Sequence, residues 1–145
     1  MSDRLPDRLA DRLALEDLSA RYAHALDHDD VAAFLGVFTD DALYTLGARR
    51  TQGQAELSTF FTARQSRGAR VTRHFFSSLR IAFRGEREAT GHSVWMSFAG
   101  QGEPPFVPAE PFMVADMEDR YVLHSNRWYI AERHITPVFR QAVTS

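Results

Sequence analysis

The feature that most constrains this chain is a change of periodicity after Gly68. Residues 71–83, 88–98, 111–123 and 128–135 form four long stretches rich in β-branched and aromatic side chains. The stretches are separated by Arg84-Gly85-Glu86-Arg87, a Pro/Gly segment from Gly100 to Glu110, and His124-Ser125-Asn126-Arg127. Breaks of hairpin scale between such runs predict antiparallel strands. Everything before Gly68 reads mainly as helix. Over residues 7–26, Leu9, Leu13, Leu18, Tyr22, Ala25 and Leu26 recur at three- and four-residue steps, the stripe of a helix with one buried face. His28-Asp29-Asp30 breaks the pattern and offers an N-cap for a short second helix from Val31 to Phe38, with Phe34, Leu35 and Phe38 inward. Thr39-Asp40-Asp41 reads as a turn, Ala42–Leu46 as a strand ended by Gly47, and Gly53–Arg67 as a third helix burying Leu57, Phe60 and Phe61. Helices followed by a run of strands predict an α+β fold, in which three N-terminal helices pack on one face of a curved, mostly antiparallel sheet. The mouth of such a cone is the natural place for an apolar pocket.

The 145 residues suit a single domain, and 44% hydrophobic with 25% charged residues is ordinary for a globular chain. Cysteine is absent, which excludes disulfides, thiolate metal sites and cysteine nucleophiles. Lysine is absent as well, so Schiff-base chemistry and a Walker-type phosphate loop are excluded, and all 17 basic residues are arginine. That bias reads as genome composition. A net charge of −2 advertises neither nucleic acid nor membrane as a partner. The stretch MSDRLPDRLADRLALED is charged and amphipathic, without the apolar core of a secretory signal, so a cytoplasmic location is expected.

A set of phrases along the chain carries a family likeness. Leu18-Ser19-Ala20-Arg21-Tyr22-Ala23-His24-Ala25-Leu26-Asp27 precedes a short helix running into Phe38-Thr39-Asp40-Asp41-Ala42. Thr72-Arg73-His74-Phe75 follows, then Glu118-Asp119-Arg120-Tyr121 and Trp128-Tyr129-Ile130-Ala131-Glu132-Arg133. Over about residues 8–136 the chain resembles the SnoaL-like branch of the NTF2-like superfamily, nearest to scytalone dehydratase and hexachlorocyclohexane dehydrochlorinase. The resemblance implies an Asp–His catalytic dyad at Asp27 and His74, with Arg133 in the same site. It also shows two departures. Tyr22 stands where the dehydrochlorinases carry Lys, and the segment near Phe98-Ala99-Gly100 lacks the second His of the dehydratases.

Read chemically, an imidazole whose far nitrogen is held by a carboxylate is a general base at neutral pH. A guanidinium at Arg133 could stabilise a developing oxyanion. Tyr22 and Tyr44 are candidates to hydrogen-bond a substrate oxygen, and His92, Phe76 and Met96 to complete the substrate pocket. Each assignment has a structural alternative. Asp27 could simply end its helix. Alternation does not settle which way His74 points, because His74, Phe76 and Ser78 share one face and Phe75, Leu79 and Ile81 the other. His92 could be a second pocket histidine or a core histidine. His24, Asp27 and His28 could hold a metal or mark a solvated helix end, and Arg133 could form a surface ion pair with Glu132 or Glu118. Glu118-Asp119-Arg120 reads as a solvated strand edge or an interface charge cluster, and the segment Gln101–Pro111 as a lid or an oligomer contact.

The function expected is a cofactor-free lyase or isomerase. It would act by proton abstraction (dehydration, elimination, isomerisation or cyclisation) on a small cyclic apolar substrate such as a polyketide or aromatic compound. The alternative is a non-catalytic ligand-binding or accessory subunit resembling a ring-hydroxylating dioxygenase small subunit. Apolar residues left on the outer sheet face predict a homo-oligomer, dimer or trimer.

Overall fold

In a computed structural model of the chain, which describes residues 8–142, three helices precede and flank a six-stranded sheet. The elements run α1 (Leu9–Asp27), α2 (Val31–Gly36), β1 (Phe38–Leu46), β2 (Arg49–Gln52), α3 (Gly53–Gln65), β3 (Arg70–Phe83), β4 (Glu88–Gln101), β5 (Met113–His124) and β6 (Arg127–Arg140). The strand order is β2-β1-β6-β5-β4-β3, with β1 parallel to β6 and every other pair antiparallel. Helices α1 and α3 lie on the concave face, α1 against β3 and β6 and α3 against β1. The expected α+β architecture is therefore the one observed. The part of the N-terminal reading that rests on residues 1–7 lies outside the described residues. No described helix is long and apolar enough to cross a membrane.

Local chemistry explains the element ends. Asp30 caps α2, its carboxylate accepting from the Ala33 N–H at 3.0 Å, while Asp29 turns the chain with φ 54°. Gly47, at φ 58°, opens the tight turn that folds β2 back on β1. The core is aromatic. Phe34 is fully buried, with ring neighbours Tyr22, Phe38, Tyr44, Phe60 and Phe61.

Four expectations need correction. Phe38–Asp41 belongs to β1 and not to a helix end and turn; the register with β6 is irregular between Phe38 and Leu43, where the polar Thr39-Asp40-Asp41 lie. Strand β2 went unread because Arg49-Arg50-Thr51-Gln52 is polar and only Thr51 is buried. Strand β6 extends past Ile135 to Arg140, leaving Val138 and Phe139 exposed. On α1 the buried stripe runs through Leu15, Leu18, Tyr22 and Leu26, whereas Leu9 and Leu13 face solvent, Leu13 being 58% exposed and Leu15 0%.

The last correction has a measurable consequence. Leu15→Ala should lower unfolding stability by about 2–5 kcal/mol, the cost of a cavity in a packed core. Leu13→Ala should fall within about 0.5 kcal/mol of wild type. Urea denaturation of the two variants checks the assignment, and equal losses would contradict it.

Candidate active site

The C-terminal end of α1 and the start of β3 meet at Asp27. Its Oδ1 lies 2.6 Å from His74 Nδ1 and accepts the Thr72 hydroxyl at 3.0 Å, while its Oδ2 accepts the His74 backbone N–H at 3.0 Å. Ending the helix does not account for this residue. A carboxylate at a helix C-terminus is disfavoured by the helix dipole, and the capping aspartate nearby is Asp30. Burial pushes the Asp27 carboxyl up, but the hydrogen bonds from the His74 ring, the His74 backbone and Thr72, with the charge of His74, outweigh it and hold the group below the usual carboxylate range. The Asp27 side chain is 8% exposed and that of His74 17%.

A bulge interrupts β3 beyond His74. Ser77 pairs with Val94 and Arg80 with His92, so Ser78 and Leu79 together oppose Ser93, and Ser78 takes φ 58°. Before the bulge the inward residues are Thr72, His74 and Phe76; beyond it they are Ile81 and Phe83. One inserted residue reverses the parity of the strand, which is why alternation alone could not orient His74.

His74 lines a cavity of about 460 Å³ between the helices and the concave sheet face, within the range that holds small organic ligands. Tyr22, Leu26, Tyr44, Phe60, Trp95, Met117 and Ile135 supply much of its apolar wall. The Tyr22 and Tyr44 hydroxyls are 2.7 Å apart, so one donates to the other and one O–H remains to donate elsewhere. Burial is the largest influence on both phenols and raises them above their usual value, Tyr44 well above it, against the opposing charge of Arg133. Both stay protonated donors at neutral pH.

The other expected site residues fall elsewhere. Arg133 is fully buried and is not on the cavity wall. Its Nε and Nη2 grip Asp119 at 2.8 and 2.9 Å, Nη2 also meets Ser19 at 3.1 Å, and the guanidinium packs 4.4 Å from the centre of the Tyr22 ring. Burial works against its charge, and Asp119 more than offsets this, keeping the guanidinium protonated. Asp119, expected in a solvated cluster, is buried and also accepts from Tyr121 at 2.8 Å. His92 and Met96 face outward, because the inward residues of β4 are Ala89, Ser93, Trp95 and Ser97. His92 stands 3.9 Å from Asp116 beside an open groove of about 590 Å³ on the outer face, which His134 also lines. That groove is larger than the inner cavity, but it holds neither residue of the dyad. Phe76 faces inward but stacks on Trp95, 4.9 Å between ring centres, behind the cavity wall.

His24 and His28 stack on each other at 4.0 Å while Asp27 turns to His74, and no metal-holding cluster occurs among the described residues. The segment 101–111 does not line the cavity; its Phe106 packs on Gly100, where a Cβ would stand 2.5 Å from the ring.

Sequence reading missed Arg64 and its neighbours. Arg64 Nη2 donates to Thr72 Oγ1 at 3.0 Å, and Thr72 in turn donates to Asp27, so a guanidinium supports the dyad from α3. Arg49, Arg67, Arg70 and Arg140 line the same cavity. Their common destination is invisible in sequence, because they come from separate elements.

Three solved structures share this architecture closely. A candidate scytalone dehydratase from Novosphingobium aromaticivorans DSM 12444 superimposes with a TM-score of 0.83 at 18% identity, covering 98% of this chain and 95% of that one. The beta subunit of a candidate aromatic-ring-hydroxylating dioxygenase from the same organism gives 0.79 at 15% identity, covering 93% and 94%. A type 2 hexachlorocyclohexane dehydrochlorinase gives 0.76 at 19% identity, covering 97% and 98%. At these identities the likeness is one of fold. No curated protein sequence matches the chain. A family model of the SnoaL-like domain matches residues 7–134, nearly the whole chain, and with that span the chain belongs to the SnoaL-like domain family, on the NTF2-like fold.

Proposed function

We propose that the chain is a cofactor-free lyase or isomerase that abstracts a proton from a small cyclic, largely apolar substrate. The observation that carries this reading is the 2.6 Å contact between Asp27 Oδ1 and His74 Nδ1 on the wall of the cavity. A carboxylate on Nδ1 holds the proton there, leaves Nε2 as the basic nitrogen, and stabilises the imidazolium formed when Nε2 takes a proton. The reaction class is removal of a proton beside a carbonyl or a leaving group, followed by elimination, isomerisation or ring closure. The free O–H of the Tyr22–Tyr44 pair would donate to the oxygen that gains charge. Arg133 touches no substrate in this reading; it supports Tyr22 from behind. Similarity in fold to a scytalone dehydratase candidate and to a dehydrochlorinase supports the same class. Similarity to a dioxygenase beta subunit keeps a non-catalytic accessory role as the rival.

Exchange of the α-protons of 2-tetralone in D₂O, followed by proton NMR, separates the two. Wild type should accelerate exchange, and Asp27→Asn and His74→Ala should each reduce the acceleration by about 10²–10⁴-fold with unchanged far-UV circular dichroism. Wild-type exchange no faster than buffer would sink the catalytic reading and leave a binding module.

The depressed Asp27 carboxyl also sets a pH dependence. Its folded value lies below the unfolded one of about 3.9, so its stabilisation is fully present above that pH and is lost as pH falls through the folded value. Denaturant unfolding from pH 7 to pH 3 should show the stability gap between wild type and Asp27→Asn narrowing below about pH 4. A constant gap across that range would contradict the geometry.

A further inference from the structure

We infer that the substrate of this cavity carries an oxyanion, a carboxylate or a phosphoryl group, and that Arg67 and Arg70 bind it at the mouth while the rest of the molecule lies on the apolar wall. The inference rests on the cavity being the substrate site, as proposed above, and adds the class of compound it accepts.

The argument begins with charge placement. Arg49, Arg64, Arg67, Arg70 and Arg140 all line the cavity, and among the described residues no aspartate or glutamate lines it. In a chain whose net charge is −2, this separates positive charge onto one opening. The residues converge from β2, α3 and the turn after it, β3 and the end of β6. Arg64 is internally committed, donating to Leu26 O and to Thr72 and lying 3.5 Å from Asp29. Among the described residues, Arg67 and Arg70 have no ion-pair partner, and both also line a shallow groove that continues outward from the cavity past Gly100 and Phe112.

The Arg70 guanidinium is fixed over the Phe112 ring, 5.1 Å from its centre, which leaves its N–H edge free for an acceptor. Burial, then the charges of Arg64 and Arg67, lower the pKa of Arg70. Guanidinium groups that repel one another at a half-buried opening are relieved by a bound anion, and a planar donor fork matches the paired oxygens of carboxylate and phosphate. The cavity thus joins an apolar body site with Tyr22, Tyr44 and His74 to an anion-binding rim, and a substrate matched to it is amphiphilic.

Isothermal titration calorimetry with 1-naphthoate, 1-naphthyl phosphate and the neutral isostere 1-naphthamide tests this. At least one anion should bind about tenfold or more tightly than the amide, and the tighter of the two names the group. The preference should shrink as salt rises from about 20 to about 200 mM. The double variant Arg67→Gln/Arg70→Gln, checked for folding by circular dichroism, should lose most of the preference while binding of the amide stays within about twofold. His74→Ala should keep the preference intact, so the anion rim is read independently of the dyad. If the exchange assay fails but the preference stands, only the catalytic reading falls. Equal affinities for all three ligands, no binding of any, or a preference unmoved by the double variant would overturn the inference.

Discussion

One carboxylate ties the architecture to its candidate chemistry. Asp27 ends α1, yet its three hydrogen bonds go to Thr72 and His74 at the start of β3. These contacts hold the first helix against the sheet and set the tautomer of the histidine in the same stroke. Through Thr72 they also reach Arg64 of α3. A charged side chain that ends a helix against the dipole and is largely desolvated would be costly without such satisfaction. Asp27 meets that cost with one side-chain hydroxyl, one backbone N–H and one ring nitrogen.

Below the cavity lies a second set of buried charges with a different task. Arg133 and Asp119 form a two-pronged pair, with Ser19 and Tyr121 taking up further hydrogen bonds. A buried pair of this kind is weak evidence for net stability, though removing one partner strands the other in a low-dielectric interior. Its geometric effect is plainer. The guanidinium packs under the ring of Tyr22, 4.4 Å from its centre, and lies 5.4 Å from that of Trp95, two side chains that face the cavity. The cation therefore packs behind the aromatic wall and is not part of the cavity lining. The family likeness points to Arg133, but position on a strand says nothing about depth.

The division between what could and could not be read from sequence follows from range. Element types were legible because they depend on local period: the three helices and four long strands occur where spacing predicts them, apart from the end of α2 and the last part of β6, and the cap falls within His28-Asp29-Asp30. Asp27 and His74 were legible only through family likeness, since residues 47 apart have no local signal linking them. The faces of β3 and β4 were harder. The inserted residue at Ser78 reverses the inward parity, and on β4 the run of His92, Val94 and Met96 looks like a pocket face while facing outward. An apolar outer face and an apolar inner face are indistinguishable by alternation. Leu13 failed for a related reason: a stripe of leucines on a helix is wider than the strip that the sheet covers.

Arginine shows the same limit for electrostatics. Counted along the chain, 17 arginines against 19 acidic residues amount to nothing distinctive, and the absence of lysine points to composition alone. Net charge sums over the whole surface, whereas interactions between exposed charges fade beyond a screening length of about 10 Å. Within that distance placement decides the field, and here one opening is lined by arginines from well-separated parts of the chain, with no acid among the described lining residues. A concave low-dielectric wall behind those charges concentrates their potential where an approaching anion would meet it. Compositional bias can therefore explain why a basic residue is arginine and not lysine. It does not explain why so many of those residues meet at one cavity whose described lining holds no aspartate or glutamate.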